Sequence, residues 1–131
     1  MAELRVASDL VRQGFQIAIP FGEDSDFDLV LIRDGQFERV QVKHVTSDGC
    51  VVEINCYSLS LTHGKVRNIK RYTERTIDWL AAYDVTTDQC FYVPAHLLGA
   101  GRSCISLRLK PARNNQVRKT RNAADFRTIE D

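Results

Sequence analysis

The fold of this chain is decided by residues 20–44, which read PFGEDSDFDLVLIRDGQFERVQVKH. Two β-rich runs, 27–33 and 36–44, are separated by Asp34-Gly35. Asp-Gly between such runs is typical of a two-residue hairpin loop, because a type I′ turn needs a positive φ at both central residues. The stretch therefore predicts a β-hairpin.

The two-residue loop also predicts the register of the hairpin. With residues 34–35 as the loop, Asp28 lies opposite Gln41, and Lys43 lies opposite Asp26 in the same way. Because side chains alternate between the two faces of a strand pair, Asp28, Gln41 and Lys43 are expected to share one face. The other face is expected to join the core, and its residues are Phe27, Leu29, Leu31, Val40 and Val42.

An aspartate, an amide and a lysine on one face fit a site that hydrolyses phosphodiesters. The oxygen atoms of Asp28 and Gln41 suit a hard ion such as Mg²⁺, which would polarise the phosphate and activate a water molecule. The ammonium group of Lys43 would stabilise the attacking hydroxide or the charge that builds up on the phosphate. The same three residue types are common on protein surfaces, so spacing alone fits the solvated face of an amphipathic hairpin equally well.

The order of these residues resembles a known nuclease motif. Phe27-Asp28 is followed, thirteen residues after Asp28, by Gln41-Val42-Lys43. This order resembles the PD-(D/E)xK motif, with Gln in the slot usually held by Asp or Glu. The resemblance is closest to the group I intron-associated homing endonucleases of that superfamily. It extends over nearly the whole chain and includes Ala2-Glu3, Tyr72-Thr73, and residues 77–79, 91–94, 107–109 and 123–126.

The resemblance implies a fold and a set of site residues. The implied fold class is α/β (α+β), with a restriction-endonuclease-like core in which a central mixed β-sheet is flanked by helices. In the resembled nucleases an acid on the first helix reaches the metal site, so Glu3 is expected to join Asp28 and Gln41 as a ligand of Mg²⁺ or Mn²⁺. Lys43 is then the fourth catalytic residue. Glu3 also fits simple compensation of the dipole of the first helix.

The resemblance further implies a metal-dependent, site-specific endonuclease that hydrolyses phosphodiester bonds in double-stranded DNA. One such site cuts one strand, so we expect a homodimer or a homotetramer. Two alternatives stay open. The first is a Holliday-junction-resolving or repair nuclease of the same fold. The second is a DNA-binding protein with an inactive nuclease site, because a neutral amide binds a divalent cation less strongly than a carboxylate.

The composition fits one nuclease domain over residues 1–131. The chain is 44% apolar, which suits one compact core. No apolar run approaches the roughly 20 residues that span a bilayer, so we expect no membrane partner. The expected location is intracellular and cytoplasmic, with association to the nucleoid when DNA is bound. The four cysteines lack paired C-x₂-C spacing, which predicts buried free thiols rather than a zinc site.

Charge is distributed unevenly along the chain. Residues 1–64 hold five Lys or Arg and ten Asp or Glu, whereas residues 65–131 hold thirteen and seven. This asymmetry predicts that a polyanion approaches the second half. The basic segments near 65–75, which includes Tyr72, and near 110–121 are the candidates for DNA contact. The expected DNA-binding residues are Lys65, Arg67, Lys70, Arg71, Arg113, Asn115, Gln116, Arg118, Lys119 and Arg121.

The remaining stretches predict the following elements. An amphipathic helix covers residues 2–14 and ends at Gly14. Strands are expected over 15–19, over 50–56 as a continuation of the hairpin meander, over 79–83 with 90–93, and over 103–109, with a brief helix over 94–98. Residues 57–70 lack clear periodicity and predict a loop. After residue 110 a flexible basic tail is the alternative to a DNA-contacting segment.

Overall fold

The computed structural model describes residues 1–22, 26–62, 65–110 and 121–129, with side chains described outside 60–68. Within these ranges the chain forms a helix, nine strands and two short 3₁₀-helices. The helix α1 is Ala2–Arg12, and the 3₁₀-helices are Ala95–Leu98 and Ala123–Phe126. The strands are β1 (Gln16–Ala18), β2 (Leu29–Arg33), β3 (Gln36–Val45), β4 (Val51–Asn55), β5 (Tyr57–Thr62), β6 (Lys65–Arg71), β7 (Trp79–Asp84), β8 (Gln89–Pro94) and β9 (Cys104–Arg108).

Helix α1 forms where the sequence predicts it, and backbone hydrogen bonds cap its C-terminus. Its apolar residues at a spacing of one turn, Ala2, Val6 and Leu10, are buried against the sheet. Beyond the last turn Gly14 takes a φ of 100°, a conformation that glycine adopts without steric cost. The Phe15 amide then donates to the Leu10 carbonyl (3.1 Å), which is the bond expected of a Schellman motif.

The hairpin of β2 and β3 has the predicted turn and register. Asp34 and Gly35 have φ values of 51° and 74°, as a type I′ turn requires. Leu29 pairs with Val40, and the register extends to the pair that flanks the loop, Arg33 and Gln36. The prediction is therefore confirmed, and the register fixes which residues of β3 share a face.

The central sheet has the strand order β1-β2-β3-β7-β8. Strands β3 and β7 pair in parallel, whereas the other neighbours are antiparallel. The predicted α+β class with a central mixed sheet is thus confirmed. Helix α1 covers one face of this sheet, and the strand pair β4–β9 covers the other.

Four of the five apolar hairpin residues lie on the expected face. Leu29, Leu31, Val40 and Val42 pack in the cluster beneath α1. The prediction for Phe27 is wrong, because Phe27 packs against the opposite cluster, under β4 and β9. Strand β2 begins only at Leu29, so the alternation of a strand does not govern Phe27.

The prediction that β4 continues the meander is wrong. Strand β4 pairs with β9 and forms a separate two-stranded sheet. The edge of β3 that β4 would need is occupied by β7, which pairs with it over residues 40–45. Strand β4 therefore crosses to the second layer, where Val52 and Ile54 pack against the central sheet.

The prediction of a loop over residues 57–70 is also wrong. This region forms a ribbon of two antiparallel strands, β5 and β6, in which Tyr57 pairs with Arg71 and Leu59 pairs with Ile69. Among the ribbon residues whose side chains are described, Leu59 and Ile69 are exposed. The alternation over residues 57–62, which read YSLSLT, is that of a strand, but it does not continue over 63–70, and the prediction followed the longer stretch.

Two further expectations concern the membrane and the cysteines. Among the described residues, no helix has the length and apolar character needed to cross a bilayer. All four cysteines are free thiols. Cys56 and Cys90 are buried as predicted, but Cys104 is half-buried and Cys50 is exposed, so the prediction is wrong for Cys50.

Candidate active site

Asp28 lies at the entrance to β2, where the hairpin fixes both its backbone and its side chain. Its amide donates to the carbonyl of Val40 (2.9 Å), which is the register partner of Leu29 at the end of β2. Its Oδ2 atom accepts a hydrogen bond from the Val42 amide (3.0 Å) and another from Gln41 Nε2 (2.9 Å). The side chains of Asp28 and Gln41 are therefore in contact, although the strand register itself ends at the pair of Leu29 and Val40.

The environment of Asp28 disfavours its charged form. Burial raises the pKa of the Asp28 carboxyl above its ordinary value, and the negative charge of Glu3 raises it further. The hydrogen bond from the Val42 amide and the positive charge of Lys43 act in the opposite direction but do not outweigh burial. A perturbed acid of this kind is typical of a functional site.

Gln41 and Lys43 reach the same face of β3. In the parallel pairing with β7 they lie beside Leu80 and Ala82, which face the β4–β9 layer. Both side chains are half-buried at the edge of that layer. The amide nitrogen of Gln41 also donates to the carbonyl of Val42 (3.3 Å), so it bridges two oxygen acceptors.

Lys43 is held in place by the start of the β5–β6 ribbon. Its Nζ atom donates to the Tyr57 carbonyl (2.9 Å) and lies 5.1 Å from the centre of the Tyr72 ring. The expectation that Lys43 faces Asp26 is wrong, since Asp26 instead forms an ion pair with Lys70. Asp26 precedes the first residue of β2, so the hairpin register does not extend to it.

Glu3 occupies the first turn of α1, as expected, and its charge acts on Asp28. Its side chain is about half-exposed and lies 3.6 Å from the amino group of Met1. The helix thus brings a second carboxylate into electrostatic range of Asp28, although the two residues belong to different elements.

The candidate metal ligands around Asp28 are oxygen atoms. Among the described residues, no three His, Cys, Asp or Glu side chains are clustered so that they could hold a metal ion. The oxygen atoms that converge beside Asp28 are its own carboxylate and the main-chain carbonyl of Val42, while Glu3 acts on Asp28 through its charge and Gln41 faces both oxygens with its amide nitrogen. An oxygen-only set that includes a carboxylate fits a hard divalent cation such as Mg²⁺.

The residues expected to contact DNA fall into two groups. Lys65, Arg67, Lys70 and Arg71 lie on β6, and the side chains of Lys70 and Arg71 are exposed. Arg121 is half-buried, and its carbonyl accepts a hydrogen bond from the Arg108 amide (2.7 Å). The other five expected residues, Arg113, Asn115, Gln116, Arg118 and Lys119, lie outside the described residues.

Three groups beside the site were missed by the sequence reading. The carbonyls of Val42 and Tyr57 are main-chain atoms, which residue types do not reveal. Tyr72 was noted as an aromatic residue near basic ones, suited to phosphate contact, but it is buried and its ring instead lies near Lys43. The cluster of Lys and Arg around Tyr72 gave no indication that its ring faces inward.

Comparison with known proteins agrees with this geometry. The model of a family described as PD-(D/E)XK endonuclease matches residues 1–129. Among solved structures, the bacterial homing endonuclease I-Ssp6803I matches with a TM-score of 0.71 and 16% sequence identity, over 96% of this chain and 83% of that one. At this identity the likeness shows a common fold. No curated protein sequence gives a significant match.

Proposed function

Because the chain belongs to the PD-(D/E)XK endonuclease family, we propose that it is a metal-dependent deoxyribonuclease that cuts double-stranded DNA at specific sites. The observation that carries the proposal is the grouping of Asp28, Gln41 and Lys43 on one face of the hairpin, with the Asp28 carboxylate bonded to Gln41. A solvated surface does not require the half-burial and raised pKa of Asp28.

Nucleases of this family typically use divalent metals, and we assign the binding of Mg²⁺ or Mn²⁺ to Asp28, Glu3 and Gln41. The bound ion would polarise the scissile phosphate and lower the pKa of a water molecule. Asp28 contributes because its Oδ1 atom is not engaged by Val42 or Gln41, which both donate to Oδ2. The raised pKa of Asp28 favours binding of a cation at that carboxylate, since a positive charge there relieves the cost of its ionisation.

Lys43 places a fixed positive charge beside the position proposed for the reacting phosphate. Within the part of the chain that the structure describes, its Nζ atom donates one hydrogen bond, to the Tyr57 carbonyl, and lies near the Tyr72 ring. An ammonium group carries three donors, so two remain to bind the attacking oxygen or a phosphate oxygen. Because Lys43 is positioned before substrate arrives, its charge stabilises the transition state with little reorganisation.

DNA would approach the site across the β5–β6 ribbon and the basic segment near 110–121. Lys70 and Arg71 are exposed on β6, next to the strand end that anchors Lys43. Cations of this kind bind phosphates and position the duplex without reading its sequence. We propose that residues 1–131 act as one nuclease domain, and that two or four copies assemble so that both strands are cut.

Plasmid cleavage tests this function. We expect the purified protein to nick or linearise plasmid DNA in Mg²⁺ or Mn²⁺ and to be inactive in EDTA. Asp28→Ala and Lys43→Ala are expected to lower the rate by about 10²-fold or more, because each removes a group that acts on the transition state. Asp125→Ala is the control, since Asp125 is exposed and lies on the 3₁₀-helix Ala123–Phe126.

The outcomes of this experiment separate the candidate functions. Activity that survives Asp28→Ala or Lys43→Ala would refute the site. Cleavage of four-way junctions without cleavage of linear duplex would indicate a junction-resolving enzyme. Salt-sensitive DNA binding without cleavage in either metal would indicate a DNA-binding protein with an inactive site.

A further inference from the structure

The side-chain amide of Gln41 is turned away from the orientation that a metal ligand needs. Its nitrogen, and not its oxygen, points at Asp28 Oδ2 (2.9 Å) and at the Val42 carbonyl (3.3 Å). A carboxylate and a carbonyl are both acceptors, so the two partners can be satisfied only by the NH₂ end of the amide. The chemistry of the neighbours therefore fixes this orientation.

The NH₂ group of Gln41 lies where two of the proposed metal-binding oxygens converge. Its partial positive charge draws Asp28 and the Val42 carbonyl together, as a cation would. The same amide cannot present its oxygen to a cation in this orientation, because amide oxygen and nitrogen lie on opposite sides of the terminal carbon. Ligation of a cation through Gln41 Oε1 and the observed hydrogen bonds of Gln41 therefore exclude each other.

We propose that Gln41 is a positioning residue whose side-chain amide adopts two orientations. In the metal-free protein its NH₂ group holds Asp28 and the Val42 carbonyl at the spacing of the site, and when a divalent cation binds, the amide turns over and presents Oε1. This inference rests on the proposed metal dependence of the nuclease. It goes beyond it by assigning the amide a role in the absence of metal.

The charges around Gln41 explain why an amide suits this place. Glu3 already places a second negative charge within electrostatic range of Asp28. A carboxylate at position 41 would add a third negative charge and would replace a donor to Asp28 by an acceptor. The amide therefore avoids charge repulsion with Asp28 and Glu3 in the metal-free protein. It also weakens binding of the cation, because two hydrogen bonds must break before Oε1 can turn inward.

The side-chain amide resonances of Gln41 test the turn directly. In ¹⁵N-labelled protein without DNA, the NH₂ signals of Gln41 are assigned by their loss in Gln41→Glu and followed during titration with MgCl₂. We expect them to shift in a saturable way, with the same dissociation constant as the backbone amides of residues 28 and 42. The NH₂ signals of Gln36, an exposed residue at the start of β3, are the internal control and are expected not to move.

Two results would overturn the proposal in distinguishable ways. Saturable shifts of the backbone amides at 28 and 42, with the Gln41 NH₂ signals unmoved, would refute the turn and leave the proposed function intact. If no signal shifts in a saturable way, or if Asp28→Ala binds Mg²⁺ as the unaltered protein does, both the turn and the proposed metal site are wrong.

A charge variant gives an independent readout. Gln41→Glu is expected to bind Mg²⁺ about 10- to 100-fold more tightly in calorimetric titration, since an added ligand charge raises cation affinity. Without metal it is expected to melt at a lower temperature than Gln36→Glu, which adds the same charge at the far end of β3. A metal-free Gln41→Glu protein as stable as Gln36→Glu would contradict the role of the amide.

Discussion

Asp84 and Asp28 are two aspartates of the same sheet with opposite environments. Asp84, at the end of β7, is fully buried, and its carboxylate accepts hydrogen bonds from the Ser47 amide (2.8 Å), the Ser47 hydroxyl (2.7 Å) and the Thr87 hydroxyl (2.7 Å). Asp28 is half-buried, and both of its hydrogen bonds from Gln41 and Val42 reach a single oxygen.

This difference appears in the two pKa values. Burial acts to raise the pKa of Asp84, but the hydrogen bonds from Ser47, Thr86 and Thr87 outweigh it, so the pKa lies below the ordinary value. At Asp28 the effect of burial is larger than that of the hydrogen bonds, so the pKa of its carboxyl lies above the ordinary value. The charged form of Asp84 therefore stabilises the fold, whereas the charged form of Asp28 opposes it. The comparison teaches that the fold tolerates an unfavourable charge where the site requires one.

The largest expected difference between the two residues is in catalysis. Asp28→Asn keeps the shape of the side chain but removes the charge, and we expect the cleavage rate to fall by at least about 10²-fold. Asp84→Asn is expected to leave the rate per folded molecule within about twofold, because the described hydrogen-bond partners of Asp84 are Ser47, in the β3–β4 loop, and Thr86 and Thr87, in the β7–β8 turn, and none of them is a proposed site residue. Plasmid cleavage at equal concentrations of folded protein measures both. If folded Asp84→Asn lost a large part of its cleavage rate, the two aspartates would not differ in their contribution to catalysis.

The second difference is in stability. Asp84→Asn turns a carboxylate with several donor partners into an amide whose NH₂ group faces donors, and we expect a loss of about 1–3 kcal/mol in the free energy of unfolding. Urea unfolding of the metal-free protein at pH 7 measures it. Asp125→Asn, at an exposed position, is the matched control. If the two variants were equally stable, the hydrogen bonds to Asp84 would not stabilise the fold.

The third difference is in the dependence of stability on pH. Since the folded pKa of Asp84 is lowered, its contribution is fully present above the unfolded pKa of about 3.9 and is lost as the pH falls through the folded value. The gap in unfolding free energy between the unaltered protein and Asp84→Asn should therefore narrow below about pH 4. A gap that stays constant from neutral to acidic pH would show that the charge of Asp84 is not its cause.

The local part of the structure could be predicted from the sequence, and the non-local part could not. Asp34-Gly35 determines a turn within a few residues, and the turn then places Asp28 beside Gln41. The pairing of β4 with β9 joins segments about fifty residues apart, so no local pattern encodes it. The ribbon of β5 and β6 is local, and the alternation of apolar and polar residues over 57–62 does carry the period of a strand.

The candidate site was likewise predictable only in part. The motif residues follow from the hairpin, because their spacing and the strand period suffice to bring them together. The partners of Lys43 do not follow, since one is a main-chain carbonyl and the other, Tyr72, reaches it from a distant segment. The orientation of the Gln41 amide depends on the Val42 carbonyl, which again no residue type reveals.

The smallest expected effect is the change in stability when Asp28 is neutralised. It is also the most direct test, because its sign is opposite to that expected for Asp84→Asn. The measurement is the free energy of unfolding of metal-free Asp28→Asn at pH 7, relative to the unaltered protein. Since the folded pKa of Asp28 is raised, the cost of its charge is present at neutral pH and disappears as the pH falls. We predict that inactive Asp28→Asn is more stable, by at most about 1 kcal/mol, because the half-exposed carboxylate is partly screened by solvent. A variant less stable than the unaltered protein would contradict the account, because Asp28 would then be a structural residue like Asp84.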